Sequence, residues 1–508
     1  MKPFHKQDTS NTQLKTLLDQ LLVLHRNIID LAETKLDAIP YKWPAQNRLL
    51  SATNLSMYLA LRHHDIRPLQ DKLTQAGLSS LGRCESNILN NIERVIDILL
   101  LATSSEAYDC LENKYQTNDF SGSKILSDRN DTLFGKSQSG HYTRIMTTLP
   151  PEAANDYELI KGLINSGTSS ARINCAHDIV SDWEHMIAFI NKARKETGKK
   201  CNVFMDLAGM KIRTGKVGTK KSGNTKIRLY EGETFELNCK AKSSVPESIN
   251  PITNEQTPAI ISCSSSAFLD AIKIGDSVWI DDGKLGSTIE NISGKVVTLR
   301  VTHAGPKGVR IKADQGINFP ETQLNLPILT KKDLRDLDFV CENADIVGLS
   351  FVQSAADLEV LISELAKRGS SMPIVAKIET RQAIENLPEI LFKGLSYSGE
   401  FAIMIARGDL AVELGSVRMA EMQEEILWLC EAAHIPVIWA TQVLESLAKK
   451  GIISRPEITD AAMSVRAECV MLNKGKYINN AVEILRDILD RMHAHQHKKV
   501  SRLRALHW

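Results

Sequence analysis

Eight short β-type runs, most of them separated by amphipathic stretches of helix length, limit the folds open to this 508-residue chain. Eight strand–helix units are the number that a closed parallel barrel requires, although an open doubly wound sheet fits the same periodicity. Several runs end in charged residues, and chemistry at the carboxyl ends of the strands is typical of barrels. The pattern therefore favours an α/β fold of the (β/α)8 TIM type. The runs lie at residues 144–148, 170–174, 202–206, 345–351, 373–379, 401–409, 436–442 and 469–475.

The rest of the chain departs from this rhythm. Between the third and fourth runs, short alternating stretches separated by turn residues predict a small β-rich domain, inserted after strand 3 as a lid above the barrel mouth. Near the N-terminus, Leu and Ile recur at helical spacing and predict a helical domain. A following stretch rich in Ser, Asn, Asp and Gly is typical of a linker. The predicted parts are an N-terminal helical domain at 1–102, a linker at 103–140, the barrel at 141–213 and 316–492, the inserted domain at 214–315, and a basic tail at 493–508.

Composition excludes some classes of function. The formal net charge of +1 provides no overall field for binding nucleic acid or a membrane surface. Nine cysteines without a CxxC pair indicate reduced thiols in a cytoplasmic protein rather than a disulfide framework. The N-terminal residues are polar and no apolar run approaches the length of a membrane span, so we expect neither a signal peptide nor a membrane anchor.

Two neighbouring runs end in charges that suit phosphoryl chemistry. Lys377 and Glu379 point to the same face of their strand because strand side chains alternate. Asp409 follows the next run and supplies a second carboxylate. Two carboxylates and a lysine at adjacent strand ends can hold a divalent cation against a phosphate. Alone, Lys377 and Glu379 also fit a surface ion pair; Asp409 and Thr441 at the next two strand ends favour the functional interpretation.

Seven motifs in a fixed order resemble those of the pyruvate kinases. They fall within a region of resemblance from about residue 142 to residue 489. The resemblance implies a (β/α)8 barrel with a small β-barrel domain inserted after its third strand, which agrees with the strand count above. The motifs are residues 171–177, 206–215, 280–283, 325–333, 377–379, 406–410 and 440–442.

The resemblance implies transfer of a phosphoryl group from phosphoenolpyruvate to ADP, which gives pyruvate and ATP. By resemblance, Lys377 is the transition-state cation, Arg172 binds the phosphoryl group, and Thr441 completes the catalytic set. Gly408 and Asp409 would bind the substrate carboxylate through their backbone, together with the Thr441 hydroxyl, because a glycine lets an anion approach N–H groups closely.

The resemblance also implies a metal ion and a nucleotide. Glu379 and Asp409 would hold the divalent cation, either Mg²⁺ or Mn²⁺. The nucleotide phosphates would lie along a short loop after the second strand and along an arginine after the third. These residues are Asn174, Cys175, Ala176, His177 and Arg213.

Two changes from the family motif concern its K⁺ site. Where many members carry a serine ligand for K⁺, this chain has Ala176, and where they carry a glutamate nearby, it has Lys211. A carboxylate that needs a cation beside it has thus become an ammonium fixed to the chain. We expect activity that does not require K⁺, with Lys211 standing in for the ion. Asn174, Asp206 and Leu207 would be the remnants of the monovalent-cation site.

Two alternatives use the same residues. A metal-dependent lyase or aldolase could stabilise the enolate of pyruvate without moving phosphate, although it would need no nucleotide lid. A weakly active relative could instead regulate or bind partners through its helical domain, since the family segments at Pro150 and Asn473 are altered. The helical domain would pack on the barrel or mediate homo-oligomer formation. After Leu489 we expect no C-terminal regulatory domain of the family's kind.

Overall fold

Eight parallel strands close into a barrel in the computed structural model, which describes residues 7–105, 121–136, 142–176, 178–217, 226–249, 256–324 and 326–502. Each strand pairs with the next barrel strand along the chain, and the eighth pairs with the first. The sequence prediction of a (β/α)8 barrel is confirmed, and the open sheet is excluded. The barrel strands are Arg144–Thr148, Ser170–Asn174, Asn202–Asp206, Ile346–Leu349, Ile374–Ile378, Phe401–Ala406, Val437–Ala440 and Cys469–Leu472.

Helices surround the barrel and leave its strands almost fully buried, as expected for parallel strands covered on the outside by helices and filled on the inside by side chains. One of these helices, Lys331–Asn343, begins with a capping box in which Thr330 and Asp333 bond each other's backbone. The barrel helices are Tyr157–Ser166, Val180–Thr197, Lys331–Asn343, Ala355–Lys367, Arg381–Glu385, Leu387–Ser396, Arg407–Leu414, Ser416–Ala432, Glu445–Lys450, Arg455–Met463 and Ile478–His493, with 3-10 turns at Pro151–Ala154 and Ser464–Arg466.

The segment between the third and fourth barrel strands forms a separate β domain with its own apolar core. Its main sheet has six strands, in the order Ile317–Asn318, Ser277–Ile280, Leu285–Ser293, Val296–His303, Thr234–Asn238 and Ala259–Ser262. Two smaller sheets pair Val309–Ile311 with Ile227–Leu229, and Ser248–Ile249 with Gln256–Thr257. The β-rich insertion is therefore present where the sequence predicted it, although the strands described here form open sheets rather than a closed small barrel.

Four helices at the N-terminus pack on the outside of the barrel and share its hydrophobic core. Helix Gln46–Leu61 contacts the barrel helices Leu387–Ser396 and Ser416–Ala432. Its buried Asn54 donates a hydrogen bond of 2.8 Å to the backbone oxygen of Ala432. The N-terminal helices are Gln7–Asp37, Gln46–Leu61, Arg67–Gln75 and Ile88–Thr103. The predicted helical domain is confirmed, and it lies against the barrel.

The interpretation of residues 103–140 as a linker is wrong for a helix at Gly122–Phe134, which seals one end of the barrel. Its last residues, Leu133 and Phe134, are fully buried in the apolar cluster that fills the barrel interior. Ser121 caps the helix by accepting a hydrogen bond of 3.3 Å from the N–H of Lys124. The sequence signal is weak because most of the helix is polar and its buried apolar residues are far apart.

The predicted basic tail also has structure up to residue 502. Strands Gln496–His497 and Val500–Ser501 form a two-stranded hairpin. Lys498, at its turn, is buried and forms an ion pair with the buried carboxylate of Glu468. This pairing fixes the hairpin to the barrel. No helix in the described part of the chain is both long and apolar enough to cross a membrane.

Candidate active site

Four charged side chains, among them the predicted catalytic residues Arg172 and Lys377, lie at or near the carboxyl ends of the barrel strands. Arg172 is on the second strand and Asp206 closes the third. Lys377 is the penultimate residue of the fifth strand, and Glu379 follows that strand directly. Because parallel strands present their carboxyl ends at the same face of a barrel, these four side chains meet in one cluster.

Asp206 binds both predicted cations of this cluster. Its Oδ2 accepts hydrogen bonds of 2.9 and 2.6 Å from Arg172 Nε and Nη2 and lies 3.3 Å from Lys377 Nζ. Burial favours a higher pKa, but Lys377 and Arg172 together hold the pKa of Asp206 below its ordinary value. Gly348 makes room for the other oxygen, since a Cβ there would lie 2.7 Å from Asp206 Oδ1. Asp206 is thus an ionised anchor for two cations, a role that the sequence did not predict.

The ammonium of Lys377 is nearly buried and is held by three groups. It lies 3.1 Å from Glu379 Oε1 and donates a hydrogen bond of 2.8 Å to Ser350 Oγ, in addition to its contact with Asp206. Burial lowers the pKa of Lys377, but Asp206 and Glu379 outweigh burial and raise it. Lys377 is therefore a fixed positive charge. Sequence reasoning missed Ser350, although it lies within the run predicted as the fourth strand.

Glu379 is a buried carboxylate in a site that already carries negative charge. Its Oε2 accepts a hydrogen bond of 2.7 Å from the N–H of Phe351, a residue with φ of +58°. Burial raises the pKa of Glu379, Lys377 lowers it and Asp409 raises it further, so that the pKa lies above the ordinary value. A second cation close to Glu379 and Asp409 would relieve this repulsion.

Asp409 and Thr441 come together at the start of a helix. Helix Arg407–Leu414 begins directly after the sixth strand, and Asp409 lies in its first turn. The N–H of Gly408 donates a hydrogen bond of 2.9 Å to the Thr441 hydroxyl. Thr441 has a φ of +67°, a left-handed conformation that is rare for a β-branched residue and typical of constrained functional positions. The N–H groups and dipole of a helix start favour an anion here.

The donor set fits a hard divalent cation. Glu379 and Asp409 provide carboxylate oxygens, which are the ligands that Mg²⁺ and Mn²⁺ prefer. Among the described residues, no group of three His, Cys, Asp or Glu side chains could hold a metal ion. A cation at this place would therefore take its remaining ligands from substrate or water, as Mg²⁺ in phosphoryl-transfer sites usually does.

The predicted nucleotide residues are less closely grouped. Arg213 donates a hydrogen bond of 3.0 Å to the backbone oxygen of Asp314 in the inserted segment. The Asn174 side-chain oxygen accepts a hydrogen bond of 3.0 Å from the N–H of Ala176. Cys175 is fully buried, and burial raises the pKa of its thiol, so that its side chain belongs to the core. His177 lies outside the described residues.

A pocket of about 570 Å³ lies beside the site, between the barrel and the end of the inserted segment. Lys211, Phe351 and Glu413 are among its lining residues. Glu413 is buried and accepts a hydrogen bond of 3.0 Å from Asn318, and burial raises its pKa. Lys377 and Asp206 are not part of the lining. The pocket therefore adjoins the charged cluster and does not enclose it.

Comparison with known proteins identifies the family of this chain. The family model described as "Pyruvate kinase, barrel domain" matches residues 141–482. A pyruvate kinase of Mycobacterium intracellulare is 32% identical over 353 residues, which are 68% of this chain and 69% of that protein. A pyruvate kinase of Dictyostelium discoideum is 31% identical over 359 residues, which are 68% of this chain and 65% of that protein. The chain belongs to the pyruvate kinase family.

Proposed function

We propose that this protein is a pyruvate kinase that transfers the phosphoryl group of phosphoenolpyruvate to ADP, requires a divalent cation and does not require K⁺. One observation carries the proposal: at the carboxyl end of the barrel, Arg172 and Lys377 both contact Asp206, and Lys377 also contacts Glu379. Phosphoryl transfer needs fixed positive charge beside the negatively charged phosphoryl group as it is transferred. It needs little covalent chemistry from the protein.

Each cation has a separate task in this proposal. Arg172 would bind the phosphoryl oxygens, because a guanidinium can donate two parallel hydrogen bonds to one phosphate. Lys377 would stabilise the phosphoryl group during transfer and the enolate oxygen that remains. Asp206 positions both side chains before substrate arrives. Such preorganised charge reduces the reorganisation needed during reaction.

The substrate carboxylate would be bound at the start of helix Arg407–Leu414. The hydroxyl of Thr441 already contacts the N–H of Gly408 at 2.9 Å, and the helix start favours an anion. Glu379 and Asp409 would hold Mg²⁺ or Mn²⁺, which when bound would neutralise phosphate charge and orient the two substrates. Arg213 and the backbone of residues 174–176 are the proposed contacts of the nucleotide phosphates.

The independence from K⁺ rests on three positions. Ala176 has no hydroxyl to bind a monovalent cation, and Leu207 is apolar and buried. Lys211 donates a hydrogen bond to Asp409 and lies 4.0 Å from Asp282 Oδ1. The ammonium of Lys211 is therefore a permanent positive charge beside two carboxylates, which would otherwise attract a bound cation.

A cytoplasmic location and self-association as a homo-oligomer remain predictions.

A coupled assay tests the proposal. Pyruvate formed from phosphoenolpyruvate and ADP is reduced by lactate dehydrogenase, with Mg²⁺ present and with K⁺ either present or replaced by tetramethylammonium. We expect turnover that requires ADP and Mg²⁺ and changes little with K⁺. Release of pyruvate without ADP would favour the lyase or aldolase. An absence of turnover under all these conditions, with the protein folded, would favour a regulatory or binding role.

A further inference from the structure

Two cysteines of the inserted domain lie in direct contact. Cys239 and Cys263 each follow the end of a strand, Thr234–Asn238 and Ala259–Ser262 respectively, and these strands pair in parallel with Asn238 opposite Ser262. Each cysteine directly follows one of these paired residues, so that the two cysteines occupy neighbouring positions on one side of the sheet. The Cys263 thiol donates a hydrogen bond of 2.9 Å to Cys239 Sγ.

The geometry of this pair suits a disulfide. Adjacent strands are about 4.8 Å apart, and disulfides join residues whose Cα atoms are about 4.4–6.8 Å apart. A disulfide bond has a length of about 2.05 Å, so that the sulfur atoms, now 2.9 Å apart, need to approach by less than about 1 Å. Both cysteines are only partly buried, which gives a small reagent access to them.

The surroundings make one of the two thiols the better nucleophile. The hydrogen bond from Cys263, together with the nearby Lys295, lowers the pKa of Cys239 despite partial burial. The pKa of Cys263 is raised, mainly because its thiol donates a hydrogen bond to Cys239. The remaining described cysteines lack such a partner: Cys341 is partly buried, and the fully buried ones are Cys84, Cys175, Cys201, Cys430 and Cys469.

The pair also lies next to the connection between the inserted domain and the barrel. Cys263 forms an antiparallel bridge with Thr214. The flanking Ser264 is bonded to Arg213 twice: its N–H donates 2.8 Å to the Arg213 carbonyl, and its Oγ accepts 2.9 Å from the Arg213 N–H. The N–H of Gly215 donates 2.7 Å to the Ser262 carbonyl. A change at Cys263 therefore acts directly on the backbone of the segment that carries Arg213.

We propose that Cys239 and Cys263 form a reversible dithiol–disulfide site that alters how firmly the inserted domain holds the segment 213–215. The oxidant is a small-molecule disulfide such as oxidised glutathione. The Cys239 thiolate attacks one sulfur of the oxidant, whose S–S bond breaks and releases one thiolate. The Cys263 sulfur, after loss of its proton, attacks Cys239 Sγ and releases the second. Two protein thiols are oxidised, and the oxidant leaves as two thiols that take up the two protons.

Mass spectrometry of the intact, folded protein tests the first part. The reduced protein is incubated with oxidised glutathione, free thiols are alkylated, and the peptides are mapped without reduction. We expect one linked peptide pair that contains Cys239 and Cys263 and disappears with dithiothreitol. Cys239→Ser and Cys263→Ser should each abolish it, whereas Cys341→Ser, which removes another partly buried cysteine, should leave it unchanged. Thiols that stay free, or carry only single glutathione adducts, would overturn the proposal.

Hydrogen exchange tests the second part and does not depend on the proposed function. Oxidation should change the exchange of the backbone amides in residues 213–215 and 262–264 several-fold, and this change should be absent in Cys263→Ser. Cys341→Ser should behave like the parent protein. A disulfide that forms without any change in these amides would refute the link to the Arg213 segment. Neither readout requires turnover, so that a failed kinase assay leaves this test valid.

Discussion

Lys211 donates a hydrogen bond to Asp409 Oδ1, across 198 positions of the chain. Both side chains are partly shielded, with 10% and 20% of their surfaces exposed. The same ammonium lies 5.8 Å from the centre of the Phe351 ring. A cation of the segment that leads into the inserted domain is thus held beside a predicted metal ligand.

Replacement of this lysine should create a dependence on K⁺. In Lys211→Glu, a second carboxylate would lie next to Asp409. The two negative charges would repel each other and the anionic substrates, and this would weaken substrate binding. We expect K⁺ to raise the activity of this variant about tenfold, since a bound ion restores the missing charge, against less than about twofold for the parent protein. Initial rates are measured as KCl replaces tetramethylammonium chloride at constant ionic strength.

Lys216→Glu provides the matched control for this experiment. Lys216 has the same charge, lies on the same segment and is exposed. Its replacement should leave the response to K⁺ unchanged, because exposed charges are screened by solvent. Strong activation of the parent protein by K⁺ would show that Lys211 does not replace the ion.

Removal of the buried ammonium should abolish most of the turnover. Lys377→Met keeps an unbranched side chain that is one atom shorter but removes the charge that lies 3.1 Å from Glu379 and 3.3 Å from Asp206. Loss of one electrostatic donor typically lowers kcat by about 10²–10³-fold, and we expect at least this effect. Circular dichroism and urea unfolding accompany the assay, because an unpaired buried carboxylate can also destabilise the fold by about 3–5 kcal/mol.

The control for Lys377 is Lys449→Met, which removes an exposed lysine that pairs with Glu445 of the same helix. Its turnover should match that of the parent protein. A folded Lys377→Met variant that retains the parent's turnover would exclude Lys377 from catalysis.

Metal binding should weaken as the pH falls. The pKa of Glu379 is raised by burial and by Asp409, so that protons compete with the cation above the ordinary range of a glutamate. Below this raised pKa, each unit of pH should lower the apparent affinity for Mn²⁺ about tenfold, and above it the affinity should level off. Calorimetric titration with Mn²⁺ between pH 5 and pH 8 measures the effect. Glu379→Gln, which cannot titrate, should bind weakly at every pH; a pH dependence that persists in this variant would assign the effect to another group.

The barrel and the core of its site were predictable because they follow from local patterns. The eight strands could be found from short β-type runs, and a closed parallel barrel brings all strand ends to one face. Lys377 and Glu379 were therefore expected to be neighbours before their distances were known, whereas Arg172 was assigned only through the resemblance to the family motif. The positions of Thr441 and Asp409 follow from the same argument. Thr441 lies one residue after the seventh strand, and Asp409 lies three residues after the sixth.

Other features depend on contacts that local patterns do not reveal. Ser350 becomes a partner of Lys377 only through the register of the fourth and fifth strands. Helix Gly122–Phe134 is mostly polar, and it owes its burial to the open end of a barrel formed by later residues. At Gly122, a Cβ would lie 2.2 Å from His434 Nε2, a contact that no sequence period predicts.

His434 lies at the junction between the N-terminal helices and the barrel. It is fully buried and has a φ of +51°. Nδ1 lies 2.9 Å from Ser51 Oγ, and Nε2 lies 2.9 Å from the backbone oxygen of Ser86. The pKa of His434 is lowered to about 3, mainly by burial and also by the nearby charge of Arg129. The contact with Ser86 acts in the opposite direction and is outweighed. The folded protein therefore holds this imidazole neutral.

This depressed pKa should make the protein less stable in mild acid. In the unfolded chain, the pKa of a histidine is about 6.5, so that between about pH 6.5 and pH 3 the unfolded state binds a proton that the folded state does not. The contribution of the neutral His434 to the free energy of unfolding is complete above about pH 6.5 and is lost as the pH falls. At pH 5 the loss is about 2 kcal/mol.

His434→Asn keeps a polar side chain that tolerates a positive φ and does not titrate. The difference in the free energy of unfolding between pH 7.5 and pH 5.0, measured by urea titration, should therefore be about 2 kcal/mol smaller in this variant. His185→Asn, at an exposed histidine, should keep the parent's pH dependence, and an equal pH dependence in His434→Asn would assign the acid sensitivity to other groups.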